Sequence, residues 1–156
     1  MAGRLQVELQ QRRPFQRIEE EAVLNIQRTA DVLLRSFLDL FSGFELTATQ
    51  YNVLRILRGA GDDGLACKQI GARLVQRDPD ITRLLNRLEK RQLITRSRSS
   101  QDRRAWKIRI SSQGLQVLGE LDQPVQDLHV RTLSSLGSEK INALIEILET
   151  VREKLD

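Results

Sequence analysis

The sequence predicts a mainly helical chain that carries one small β-hairpin, and three observations support that expectation. Apolar residues recur at steps of three and four through most of the 156 residues, and the step falls to two over one short stretch. Aromatic content is only 4%, which argues against a large β-sandwich, while Leu, Arg, Glu and Gln favour helix. The 40% apolar fraction is low for a globular chain and the 29% charged fraction is somewhat high. The expectation is therefore that a partner subunit completes the burial of the apolar faces.

Each element has its own signal. The first ten or so residues read as a polar, frayed arm. From Phe15 the apolar positions Ile18, Ala22, Ile26, Ala30, Leu33, Phe37, Leu40 and Phe44 step by three and four, which predicts one long amphipathic helix ending near Gly43. Leu24, Leu34 and Leu38 lie off that stripe, so the helix is expected to be covered from more than one side. In LTATQYNVLRILRGAGDDG, Thr47 is placed as an N-cap with Gln50 three residues on, and Val53, Leu54 and Leu57 form the apolar face. A short helix runs through CKQIGARLV with Cys67, Ile70, Gly71 and Leu74 together. The next helix is assigned Asp78 as N-cap and Pro79 as its first residue, with Ile81, Leu84, Leu85 and Leu88 inward. The period then changes. Ile94 begins LITRSR as one strand, SSQD is the turn, and Trp106, Ile108 and Ile110 form the apolar side of the returning strand. Leu115, Leu118, Leu121, Val125 and Leu128 restore helix, mildly interrupted at Pro124. A last helix after LGSEK carries Ile141, Leu144, Ile145, Leu148, Val151 and Leu155.

Charge is distributed unevenly along these elements. Between Leu65 and Ile110 there are thirteen Lys or Arg and four acids, a balance of +9. The whole chain carries +4, so everything outside that segment totals −5. A basic centre between acidic flanks is the footprint of a localised nucleic-acid surface. Three short helices, the third capped and basic, followed at once by a basic hairpin, describe a winged helix-turn-helix. Opposite its buried stripe the third helix presents Asp80, Thr82, Arg83, Asn86, Arg87 and Lys90. Arg83 and Arg87 can each bond guanine bidentately and Asn86 can read adenine. Arg103 and Arg104, beside Asp102 at the hairpin tip, suit a narrow minor groove. The candidate DNA-binding set is Lys68, Arg77, Asp80, Thr82, Arg83, Asn86, Arg87, Arg98, Arg103 and Arg104, with Asp102 bracing the wing.

The run PDITRLLNRLEKRQLITRSRSSQDRRAWKIRISSQG resembles the heart of the MarR family of transcription regulators. The family's L-I/V-x-R strand, D-x-R wing and T/S-x-x-G helix start correspond to Leu93-Ile94-Thr95-Arg96, Asp102-Arg103-Arg104 and Ser111-Ser112-Gln113-Gly114. LTATQYNVLRIL also resembles the segment preceding the family's helix-turn-helix. The resemblance implies a homodimer whose long terminal helices form a dimerisation lobe and whose two winged lobes bind a pseudo-palindromic operator. It further implies Arg83 in the major groove and Arg104 at the minor-groove wing tip. It also implies repression relieved by a small, often aromatic or anionic, effector, although no residue spacing here points to a pocket for one. The expected organisation is 1–46 for the arm and long dimerisation helix, 47–112 for the winged helix-turn-helix lobe, and 113–156 for the C-terminal dimerisation helices.

Other classes fit poorly. There is no Gly-rich phosphate loop and no G-x-S-x-G, and one histidine leaves no Ser/His/Asp set, so an enzyme is not expected. One Cys and one His cannot build a Cys/His zinc cluster, and neither a metal nor a cofactor is expected. The opening MAGRLQVELQQRR has no apolar core of a leader, and no later run approaches the ~18 apolar residues of a membrane span. Together with the single Cys, this predicts a soluble cytoplasmic protein without a membrane partner. Cys67 shares a helical face with Ile70 and Leu74, which favours a small core residue over a redox sensor. His129 reads as a surface or interface residue. The rival reading is a winged-helix module that docks on protein, for which guanine-reading arginines would have no purpose.

Overall fold

The computed structural model describes residues 3–98 and 106–155, and the chain divides into two units, Met1–Ala48 and Thr49–Asp156. The first unit holds two helices. Where a polar arm is expected, Arg4–Glu8 forms a short helix, α1, with Leu5 buried. Periodicity does not signal it, because one apolar anchor in a five-residue turn has no repeat to detect. The long helix α2 spans Ile18–Ser42 and so starts three residues after Phe15. Glu19, Glu20 and Glu21 fill its first turn, where the helix dipole favours negative charge. The expected stripe is left largely uncovered within one chain: Ile18 and Ile26 are exposed, and the helix's one buried side chain is Phe41, stacked on Phe37 at 5.8 Å between ring centroids.

In the second unit α3 (Ala48–Ala60) begins directly after Thr47 and buries Tyr51, Val53, Leu54 and Leu57. A 3-10 turn over Gly61–Asp63 leads to Gly64 (φ 61, ψ −179), a backbone conformation that essentially only glycine adopts. An added Cβ there would also stand 2.7 Å from the Ile108 carbonyl oxygen. That close approach lets Leu65 and Ile108 exchange two backbone hydrogen bonds of 2.9 Å, tying this turn to the hairpin. Helix α4 (Cys67–Ala72) starts with the Gln69 side chain accepting from the Ala66 N–H at 2.9 Å. Helix α5 (Ile81–Lys90) buries Leu84, Leu85 and Leu88.

The start of α5 corrects the sequence reading. Asp80, not Asp78, is the N-cap, its carboxylate accepting from the Arg83 N–H at 3.1 Å. Asp78 accepts from the Asp80 N–H at 2.8 Å, so Pro79 lies inside a tight turn ahead of the helix and is not its first residue. At the other end Gln92 takes a left-handed conformation (φ 58), and Leu93 N–H returns to the Leu88 carbonyl at 3.0 Å. This closure turns the chain into β1 (Ile94–Arg98), which pairs antiparallel with β2 (Trp106–Ile110) in the register Ile94↔Ile110 to Arg98↔Trp106. The SSQD turn lies outside the described residues.

Helix α6 (Ser112–Leu133) is capped by Ser111, whose hydroxyl accepts from the Gly114 N–H at 3.0 Å, and it runs on through Pro124. Leu118, Leu121 and Val125 are its buried stripe. Helix α7 (Gly137–Glu153) buries nothing within the chain, and Ile145, Ile147 and Val151 are exposed on it.

One polar clamp joins α3 to α6. Arg58 donates two hydrogen bonds of 2.8 Å to the Asp122 carboxylate. These bonds hold the Asp122 carboxyl below its ordinary value of 3.8. A depressed carboxylate stabilises the fold above its unfolded pKa, and the gain fades as pH falls through the folded value. Half-exposure of Asp122 limits the contribution through solvent screening. Urea unfolding of Asp122→Asn should therefore show a loss of ~0.5–1 kcal/mol at neutral pH, shrinking towards zero at a pH acid enough to protonate the folded carboxylate. A loss that stayed constant down to that pH would assign the effect to packing.

Candidate nucleic-acid interface

Burial of Leu84, Leu85 and Leu88 fixes which face of α5 looks outward. Thr82, Arg83, Asn86, Arg87 and Lys90 are all exposed, as steps of one and three on a helix require. Asp80 stands at the N-terminus of this face with its carboxylate committed to the cap. Lys68 is exposed on α4, and Arg77 is exposed in the turn between α4 and α5. Lys68, Arg77, Arg83 and Arg87 enter no ion pair among the described residues. Their charge is thus directed at solvent.

Other cations of the basic segment have internal partners. Arg109 donates through Nε to the Asp62 carbonyl and through Nη1 to the Ser97 hydroxyl, both at 2.5 Å. Arg96 reaches from β1 back to α5, where its Nη2 donates to Asn86 Oδ1 at 2.7 Å and its Nε lies 3.4 Å from Glu89 Oε2. These two arginines bind the hairpin to its neighbours.

Arg98 is placed by an aromatic ring. Its guanidinium lies 4.2 Å from the centroid of Trp106, the residue directly opposite it in the strand register. Trp106 is 48% exposed, yet it lines the same cleft as Ile108 and Leu85, on the side of the strand that the alternation assigns to it. Ile108 is 2% exposed and marks where the core ends, while Trp106, two residues nearer the tip, supports a cation. Asp102, Arg103 and Arg104 lie outside the described residues.

Sequence reasoning missed a further support of this face. The Asn52 side chain on α3 accepts from the Val75 N–H at 2.9 Å and so anchors the turn between α4 and α5. An amide on the far helix, twenty-three residues away, carries no local signal of that role. Cys67 is half-buried in a cleft with Leu85 and Ile108, as a small packing residue would be, and His129 is exposed on α6. No group of side chains suited to a metal ion occurs among the described residues, and no helix there is long and apolar enough to cross a membrane.

The sequence pattern of the MarR family matches residues 46–106 of the chain. The chain is similar to a MarR transcription factor from Planctomyces limnophilus of known crystal structure, with 39% identity, 87% of this chain and 98% of that one covered, and a TM-score of 0.66. It is 29% identical over 140 residues to the HTH-type transcriptional regulator TtmR of Methylorubrum extorquens (strain PA1), covering 90% of this chain and 70% of the relative. The transcriptional repressor CouR, solved bound to a 23-mer DNA duplex, is 27% identical with a TM-score of 0.72, covering 82% of this chain and 89% of that one.

Proposed function

The chain belongs to the MarR family of transcription regulators, a non-enzymatic family, and on that premise we propose that it is a sequence-specific repressor acting as a homodimer on duplex DNA. The observation that carries the reading is the outer face of α5. Arg83 and Arg87 project from a capped helix with no carboxylate paired to them among the described residues. A helix of this width enters a major groove with its N-terminal turns at the base edges, where arginine bonds guanine O6 and N7 bidentately. Lys68, Arg77 and the Trp-supported Arg98 then contact the flanking backbone, while Arg103 and Arg104 belong to the minor groove beside them. Asp80 contributes by capping the reading helix, and Thr82 and Asn86 complete the reading face.

The uncovered apolar side chains of α2 and α7 support dimerisation through the terminal helices. A dimer places two α5 helices on successive half-sites, so the operator is pseudo-palindromic. Its regulation is by a small aromatic or anionic effector that changes the separation of the two reading helices, which is the family's habit. Sedimentation of the free protein should give twice the 17.9 kDa chain mass, and a stable folded monomer would remove the two-helix geometry.

Two substitutions test the reading. Arg83→Ala should cut discrimination between operator and mismatched duplex by about 1–3 kcal/mol, whereas Lys68→Ala should weaken all duplexes alike. Competition binding against a mismatch series measures both. If the two variants behave identically, α5 is not the reading helix.

A further inference from the structure

We infer that Asn86 reads a base through its amide nitrogen, selecting the keto bases guanine and thymine against adenine, because Arg96 has taken its oxygen. The inference rests on the placement of α5 in a major groove proposed above. An asparagine free to turn its amide matches adenine, offering Oδ1 to the N6 amino group and Nδ2 to N7. Here the Arg96 guanidinium, which can only donate, lies 2.7 Å from Oδ1. Turning the amide over would set N–H against N–H and forfeit a charge-assisted hydrogen bond.

Arg96 is also held where it is. Its backbone is paired in β1 opposite the buried Ile108, and its Nε faces Glu89 Oε2 at 3.4 Å, one helical turn along α5 from Asn86. Oδ1 retains a second lone pair, yet the adjacent positive charge repels the hydrogens of an approaching adenine amino group. The same charge polarises the amide and strengthens Nδ2 as a donor. What the face presents at this position is a donor alone. In the major groove guanine offers the acceptors O6 and N7 and thymine offers O4, whereas cytosine presents an amino group and adenine sets an amino group beside its one acceptor, N7. Arg96 is thus a positioning residue, acting on sequence choice through Asn86 without touching a base.

The test is selection of bound duplexes from a randomised pool, sequenced position by position. The native protein should enrich guanine or thymine over adenine at one position of each half-site. Asn86→Ala should flatten that position by about tenfold and leave the others unchanged. Asn86→Asp should turn the preference towards the amino bases cytosine and adenine, since a carboxylate beside Arg96 only accepts. Asn86 is exposed, so both variants keep the fold. Arg96→Lys should retain the native preference, while Arg96→Met should admit adenine there. The inference is overturned if Asn86→Ala changes no position, if the position it flattens held adenine, or if Arg96→Met leaves the preference as it was. A native protein that enriches no sequence at all would instead bring down the regulator reading itself.

Discussion

Gly114→Ala is expected to destabilise the protein by ~1–3 kcal/mol, although the same substitution within a helix ordinarily stabilises by up to ~1 kcal/mol. Gly114 is buried in the first turn of α6, where the end of α5, the start of β1 and the end of β2 converge. A Cβ there would overlap the Leu93 carbonyl oxygen and stand 2.7 Å from Ile110 Cγ1. Neither neighbour can yield cheaply. The Leu93 carbonyl accepts from the Ser111 N–H at 3.0 Å, and Ile110 pairs with Ile94 in the hairpin. Relief would require α6 to move away from the hairpin, loosening the cap that Ser111 gives the same turn. Gly119, five residues along the same helix, is exposed and would bring its Cβ within 4 Å of nothing. Gly119→Ala should therefore stabilise by ~0.5–1 kcal/mol, since only helix propensity and unfolded-chain entropy change. Thermal unfolding of the two variants should shift in opposite directions, by ~2–4 °C per kcal/mol. Two shifts of the same sign would show that α6 does not seat against the hairpin at Gly114.

Much of this arrangement was legible because burial writes itself into period. Leu84, Leu85 and Leu88 repeat on one side of α5, and that repeat alone decides that Arg83, Asn86 and Arg87 face outward. The Ser111 hydroxyl caps the Gly114 N–H, and Ser111-x-x-Gly114 was legible as a helix start through the family resemblance. The cap of α5 was not, because Asp78-Pro79-Asp80 offers two carboxylates either side of a proline, and which one caps depends on a turn only two residues long. Roles that depend on strand register or on distant partners were also hidden. Arg98 meets Trp106 because the strands pair with those residues opposite, and Arg96 reaches Asn86 because β1 folds back along α5. Composition marks all these arginines as one basic block, but only geometry sorts those that hold the lobe together from those whose charge is left for a ligand. The block's +9 therefore does not mean that every guanidinium is available for phosphate, since those of Arg96 and Arg109 are held by Asn86 and Glu89 and by the Asp62 carbonyl and Ser97.

That sorting leads to the largest effect expected on binding. Affinity for random-sequence duplex DNA should fall ~10³–10⁵-fold between about 50 and about 200 mM salt, as for a protein making about 6–10 phosphate contacts. Each contact releases condensed counterions from the DNA, so the logarithm of affinity falls linearly with the logarithm of salt concentration, at ~0.9 per neutralised phosphate. Within one chain Lys68, Arg77, Arg83, Arg87 and Arg98 are exposed, with Arg103 and Arg104 in the same basic segment, and a dimer doubles the set. On the proposed reading some of these cations contact bases and leave the backbone to the others, which would put a dimer within the range above. Lys68→Ala should lower the slope by roughly one per protomer, whereas Arg109→Ala should leave the slope alone and lower thermal stability, since its guanidinium is spent on Asp62 and Ser97. Fluorescence anisotropy across a salt series measures each slope. A slope near zero in the native protein would favour a winged lobe that docks on protein, and a slope reduced equally by both variants would mean the cations are not divided between structure and DNA as their hydrogen bonds indicate.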